Sequence, residues 1–358
     1  MRRTRARCIL PSHASNLEMH RPTAPIAGAL GGTMRSSLLT SRFRRSSHTE
    51  DLLFRRNRVS LWARLFADRY VYLMLLPGAL YLLVYRYLPM YGVLMAFQNF
   101  RMARGIWGSP WVGLANFRTL FGSPFFSMII ANTIIISLMK LALVFPAPVI
   151  LSLMMNEVGV TWYKRTVQTV IYLPYFLSWV VLAHLTFIFL APRTGVATNL
   201  IYQQFGVRLN LLMDPRYFRF LLVGTEIFRT AGWGTIVYLA ALAGVDPNLY
   251  EAAIMDGANR FQRIIHITVP AIVPVMVILL IINVGQLLSA GFEQIFVLQN
   301  PLVYQVSEIL DTYVYKAAFL EGQYALGATV GLFKGGIGLI LVLATNQLAK
   351  KMGDEGIW

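Results

Sequence analysis

Only one cysteine, Cys8, occurs in the 358 residues. That excludes an intramolecular disulfide framework and a cysteine-built metal site. Charge is scarce too: Asp, Glu, Lys and Arg make up 13% of the chain, against about 25% in an ordinary soluble protein. With 56% hydrophobic residues and a mean hydropathy of +0.57, the shortfall is too large for a big core to explain, because a soluble surface needs those charges. The composition is that of an integral membrane protein. No G-x-x-x-x-G-K-[ST] loop is present, so the chain does not hydrolyse nucleotide by that route. GLFKGGIG (331–338) lacks the spacing and sits in an apolar run. No His/Glu cluster has metal-ligand spacing, no Ser–His–Asp set can be argued, and His266 reads as a polar connector residue rather than a base. A membrane enzyme acting on polysaccharide or lipid should show clustered acids or histidines near a membrane face, and the sequence has none.

The net charge of +16 is unevenly spread. Residues 1–69 hold 14 Arg and 4 acids, a net +10, and the rest of the chain contributes +6. A basic segment ahead of the first apolar run predicts cytoplasmic retention and suits anionic headgroups. Without a recognition motif it is no sign of nucleic-acid binding. Residues 1–65 read as a basic, unstructured cytoplasmic segment rich in Arg, Ser, Thr and Pro. They contain no apolar core ahead of a cleavage site, so no signal peptide is expected. Met34 is an alternative start, in which case residues 1–33 are absent from the mature protein.

A spanning helix needs about 20 mostly apolar residues, and six runs qualify: 70–97, 125–155, 166–190, 218–245, 270–292 and 325–349. The expected fold is all-α and membrane-integral, with six transmembrane helices in a domain over 66–350 and a cytoplasmic tail over 351–358. Six spans put both termini on one side, and the N-terminal arginines with Lys350 and Lys351 make that side the cytoplasm. The charge rule is not clean. The loops assigned outside (98–124, 191–217 and 293–324) carry Arg101, Arg104, Arg118, Arg193, Arg208, Arg216 and Lys316. Loops of that length tend to carry function. The first has interfacial aromatics in IWGSPWVGLANF (106–117). The last is expected to form an amphipathic helix with Val306, Ile309, Leu310, Val314 and Ala317 on one face, packed on the bundle.

EAAIMDGANRFQRIIHITVP (251–270) is too polar for lipid and too regular for a slack loop. Asp246 can cap a helix that begins at Pro247 and runs to about Met255. Asp256-Gly257 breaks it, since Gly reaches backbone angles other residues avoid. A second helix is expected from Ala258 to about Thr268, with Pro270 opening the fifth span. Glu251 complements the helix dipole and can accept an Arg, and Ala252 and Ala253 leave a flat surface. Physics alone does not choose between a charged connector and a mechanical joint.

The spacing Glu251-Ala252-Ala253, Gly257, Ile267 and Pro270 resembles the EAA motif of permease subunits of binding-protein-dependent ABC importers, with Val269 where Leu is usual. GSPWVGLANF, FPAPVILSLMMNEV, VQTVIYLPYF, RTAGWGTIVYLAALAGVDPNLYEAA and GFEQIFVLQNPLVY extend the resemblance over about 65–350. They are similar to the LplB-type polysaccharide and oligosaccharide permeases, near the alginate-oligosaccharide importer. The resemblance implies a MetI-like fold in the bacterial inner membrane and a cytoplasmic coupling loop over 246–269. There Glu251, Ala252, Ala253, Asp256, Gly257, Ile267 and Pro270 would dock with an ATPase. It implies as partners a second, homologous permease subunit, two ATP-binding subunits that hold the ATP and Mg, an extracytoplasmic solute-binding protein and a sugar. This chain itself would be a non-catalytic subunit with no cofactor of its own.

Charges inside spans are costly and default to function. Lys140, Glu226 and Arg229, with Trp233, Asn283 and Gln286, are the candidates for a sugar pathway, and Tyr172, Tyr175 and Tyr238 could add aromatic faces. Lys140 and Arg229 together would favour an anionic sugar. Glu226 and Arg229, three apart on one helix, could instead pair with each other. A stand-alone secondary transporter or channel is the competing reading. It calls for an internal repeat of spans, and no convincing repeat is seen.

Overall fold

The structure, a computed structural model, describes residues 69–208 and 210–351. The expected segment 1–65, Cys8, Met34 and the tail beyond Lys351 lie outside the described residues. Chain contacts divide the molecule into Met1–Leu76 and Pro77–Trp358. In the first unit, residues 69–76 are helical and exposed, and the Arg69 guanidinium donates to the Tyr70 hydroxyl at 3.2 Å. The interactions described below belong to the second unit.

Helix dominates, and among the described residues no β-strand forms. The principal helices are α1 (Arg69–Phe97), α2 (Pro124–Asn156), α3 (Thr161–Phe176), α4 (Trp179–Leu190), α5 (Pro215–Leu242), α6 (Pro247–Met255), α7 (Arg260–Gly285) and α8 (Tyr324–Lys351). Of these, α1, α2, α7 and α8 are long and apolar enough to cross a membrane. They answer to four of the six expected runs, and the other two take a different form.

The run 166–190 is not one continuous helix. α3 and α4 meet at 103°, and they make a fifth span only if taken as a bent pair. Pro174 tightens the end of α3 into a 3-10 turn, Leu177 turns extended, and Ser178 caps α4 by accepting from the Val181 N–H at 3.3 Å. The run 218–245 belongs to α5. Its 28 residues span roughly 42 Å at 1.5 Å per residue, which is long enough. With Arg216, Arg219, Glu226 and Arg229 aboard, it is not among the helices apolar enough to stand as a span. One face of it packs on the other helices, burying Phe218, Leu222, Ala231, Thr235, Tyr238 and Leu242, while Phe220, Phe228, Ile236 and Val237 stay exposed on the other.

The fifth run also begins earlier than expected. Asn259 and Gln262 form a capping box at Arg260, and the helix passes without interruption through 264–268 into the span. Pro270 does not start it. There is one π turn, in which the Val269 N–H reaches the Ile264 carbonyl, and it accommodates the proline that follows.

One cluster joins Ile136 of α2, Ala183 of α4 and Phe218, Leu221 and Leu222 of α5 to Ile295, Leu298 and Ile309. A second joins Val149, Tyr238, Leu242 and Ile272. The segment 304–320 packs on the bundle as expected, but as two short helices rather than one. The chain breaks at Glu308-Ile309, where Asn132 of α2 donates to the carbonyls of Gln305 at 3.0 Å and Glu308 at 3.2 Å. Ile309, Leu310 and Ala317 are buried there. Nearby, burial and then the Glu321 carboxylate push the Tyr313 phenol above its ordinary pKa.

Candidate functional site

Two regions hold the candidate residues. The first is a cavity of about 480 Å³ among α2, α5, α7 and the turn at 286–291. Five of the six candidate pathway residues line it: Lys140, Glu226, Trp233, Asn283 and Gln286. The Lys140 ammonium donates to Glu226 Oε2 at 2.9 Å and to Gln294 Oε1 at 2.5 Å. Gln294, fully buried, turns its amide N–H groups to the Leu222 carbonyl at 2.7 Å and Thr225 Oγ1 at 2.8 Å. One charge pair is therefore shared among three segments, with Lys140, Glu226 Oε2 and both ends of the Gln294 amide engaged. Gly291 is required beside it: its φ of +87° favours glycine, and an added Cβ would run into the Lys140 ammonium.

Arg229 is the exception. It lies off the cavity, donating from Nε to the Leu177 carbonyl at 3.2 Å, with its guanidinium 4.7 Å from the Trp179 ring and 5.5 Å from the Tyr175 ring. It thus satisfies a backbone group freed where α3 breaks from α4. The intrahelical pair of Glu226 and Arg229 is not formed, because Glu226 reaches across to α2 instead. With Lys140 neutralised and Arg229 turned away, the pairing of those two cations around an anionic sugar is not present in this arrangement. The cavity instead offers Asn283, Gln286, Ser137 and Thr230 beside aromatic faces. Tyr175 and Trp233 are stacked at 4.5 Å with their planes 3° apart, and Tyr238 completes the wall. Tyr172 approaches Thr235 Oγ1 at 3.4 Å and is not among the lining residues.

Gln294 and Gly291 were not legible as site residues, since Gly291 lies at the close of the fifth apolar run and Gln294 falls just inside the loop that follows it. A lone amide inside GFEQIFVL was the available signal. Lys334 of α8, another charge in an apolar run, pairs with Asp311 at 2.7 Å.

The second region is the polar loop. Asp246 caps α6 by accepting from the Asn248 N–H at 2.9 Å, and the helix ends at Met255 as the residues dictate. Gly257 then takes φ +80° with open space around it, so the turn needs glycine for its backbone rather than for clearance. No residue of α6 is buried. Leu249, Ile254, Met255 and Phe261 are 52%, 54%, 87% and 69% exposed, an apolar surface that this chain leaves uncovered. Glu251 and Asp256 are exposed and make no ion pair among the described residues. Ala253, Asp256, Gly257, Arg263, His266 and Ile267 share a hollow of about 290 Å³ at the turn, while Ala252 and Pro270 face outward. The Tyr250 hydroxyl meets Thr268 Oγ1 at 3.1 Å, tying α6 to the foot of α7.

Apolar helices of spanning length, a charged cavity between them and a capped, exposed helix on a glycine turn suit a membrane transport subunit. The chain belongs to the binding-protein-dependent transport system inner membrane component family, whose pattern matches residues 145–354. It is a sugar or oligosaccharide ABC transporter permease of MetI-like fold. Two proteins of Bacillus subtilis (strain 168) are similar over most of their length. The polygalacturonan/rhamnogalacturonan transport system permease protein YteP is 46% identical over 301 residues, 84% of this chain and 94% of that one. Protein LplB is 45% identical over 300 residues, with the same shares. A chain of the bacterial alginate ABC transporter, crystallised with its alginate pentasaccharide-bound periplasmic protein, superposes with a TM-score of 0.77 at 37% identity. That match covers 83% of this chain and 99% of the other.

Proposed function

We propose that this subunit imports oligosaccharide fragments of acidic polysaccharides across the bacterial inner membrane, driven by ATP hydrolysed in partner subunits. The observation that carries the reading is α6: it presents Glu251, Ala252 and Ala253 on an exposed helix whose apolar side chains have no cover in this chain. An ATPase cleft that accepts small side chains and supplies a basic partner for Glu251 would cover it. Closure of two ATPase subunits then pulls α6, and the Tyr250–Thr268 contact passes the motion to α7. The basic N-terminus and Lys350–Lys351 put this face in the cytoplasm. A solute-binding protein delivers sugar from the opposite side, and a second, homologous permease subunit completes the pathway. The substrate class follows the names of the relatives, which carry polygalacturonan/rhamnogalacturonan and alginate. Within this chain the cavity would meet sugar hydroxyls with Asn283 and Gln286 and sugar faces with Trp233.

The test is co-expression with the cognate ATPase, second permease and binding protein, followed by purification and assay of hydrolysis and uptake. Hydrolysis stimulated by loaded binding protein is expected in the assembled complex. Glu251→Lys or Gly257→Pro is expected to abolish ATPase docking, or to leave hydrolysis that no longer drives uptake, while the spans still insert. Normal uptake by both variants would overturn the coupling role of this loop.

A further inference from the structure

Between α4 and α5 lies another cavity, of about 560 Å³, which shares no lining residue with the charged one. Its walls include Leu185, Phe189, Phe220 and Phe228, which are 36% to 61% exposed. The two hydroxyls in it are already spent: Thr186 donates to the Leu182 carbonyl at 2.8 Å and Thr225 to the Leu221 carbonyl at 2.9 Å. Water needs several polar partners to settle in a cavity, and this one offers no free donor and only two hydroxyl oxygens, one already accepting from Gln294. A sugar lacks partners here for the same reason. What fits is a hydrocarbon chain.

The charges around it make the occupant more specific. α4 and α5 run antiparallel, with Arg229 bonded to Leu177 at one end and Leu190, Leu211 and Phe220 lining the other. That second end is flanked in sequence by Arg193, three residues past Leu190; by Arg208, three before Leu211; and by Arg216, one turn ahead of Phe220. All three are exposed, and none forms an ion pair among the described residues. Arg208 rests 4.5 Å over the Tyr202 ring. The one acid of segment 191–217, Asp214, accepts from the Arg216 backbone N–H at 2.9 Å, and the segment keeps a net charge of +2. These arginines are among the residues that spoil the charge bias of the loops, and neither the coupling loop nor the charged cavity uses them.

We propose that this groove binds an anionic glycerophospholipid, an acyl chain lying along Gly224 and Phe228 and the phosphate held by Arg193, Arg208 and Arg216. Guanidinium forks match phosphate oxygens, and unpaired cations beside an apolar slot complement an anionic headgroup better than a zwitterionic one. Gly224 gives the groove its depth, since a Cβ added there meets no atom within 4 Å.

The experiment uses the full assembled transporter in nanodiscs containing equal amounts of phosphatidylglycerol and phosphatidylcholine, with lipid retained after detergent stripping counted by native mass spectrometry. Wild type is expected to keep phosphatidylglycerol over phosphatidylcholine by about fivefold or more. The triple variant Arg193→Gln/Arg208→Gln/Arg216→Gln is expected to lose that preference. Gly224→Leu fills the groove and suits the helix better than glycine, and it should lower retention of both lipids. No headgroup preference in wild type, or unchanged retention in an assembled Gly224→Leu complex, overturns the proposal. So does a triple variant that loses sugar uptake with its lipid preference intact, which would assign the arginines to the sugar or its binding protein. If neither variant assembles, the wild-type preference alone decides.

Discussion

At the scale of single residues, the pair Lys140–Glu226 sets the character of the cavity. Both side chains keep some exposure, 13% and 19%, so removing one partner should cost roughly 2 kcal/mol rather than the 3–5 of a fully buried pair. Lys140→Met and Glu226→Gln are each expected to lower the thermal midpoint of the purified complex. The double variant Lys140→Met/Glu226→Leu should recover at least half of either loss, because no unmatched charge remains. A double variant less stable than both singles would show that the network, and not the charge balance, holds these helices. This scale was half legible. Lys140 and Glu226 announced themselves as charges in apolar runs, and Gly257 as a break. The mate of Glu226 could not be read, because a partner 86 positions away leaves no periodic trace, whereas Arg229 three positions on does. Gln294 escaped because its neutral side chain carries no such alarm.

At the scale of elements, a single amide ties three of them. The Arg219 guanidinium of α5 donates to Asn132 Oδ1 at 2.8 Å and from Nε to the Val306 carbonyl at 3.2 Å, while Asn132 Nδ2 serves the carbonyls at 305 and 308. Asn132→Leu keeps the volume and removes those bonds, leaving the buried Glu308 carbonyl unserved at about 1–3 kcal/mol. Hydrogen exchange at residues 305–310 is expected to quicken well beyond that of α8; unchanged exchange there would mean that Asn132 is a spectator. Periodicity found the helices and their caps, since apolar runs and Asp-Pro junctions are local. It missed the bend between α3 and α4, whose cause is divided between Pro174, Ser178 and the distant Arg229. It also gave α7 a false start at Pro270, because one π turn lets the helix carry a proline near its foot.

At the scale of the whole molecule, composition alone fixed the class: too little charge for a soluble surface, and apolar runs of spanning length. Which runs are continuous apolar helices was less legible, because the charges of α5 find partners on other segments (Glu226 on Lys140, Arg219 on Asn132, Arg229 on Leu177), and hydropathy reads only the helix itself. The uncovered face of α6 has a consequence for the cell as well as for transport. A copy made in excess of its partners displays Leu249, Ile254 and Met255 to water, on a helix with no buried residue to hold it. Such a segment opens easily and is where a protease would cut first. Expressed alone, the chain should be nicked within 249–261 under mild proteolysis and be protected there when its partners are supplied; equal cutting in both preparations would count against this. The same surface would then set abundance: orphan subunits marked for removal, and the ratio of permease to motor corrected by turnover rather than by synthesis.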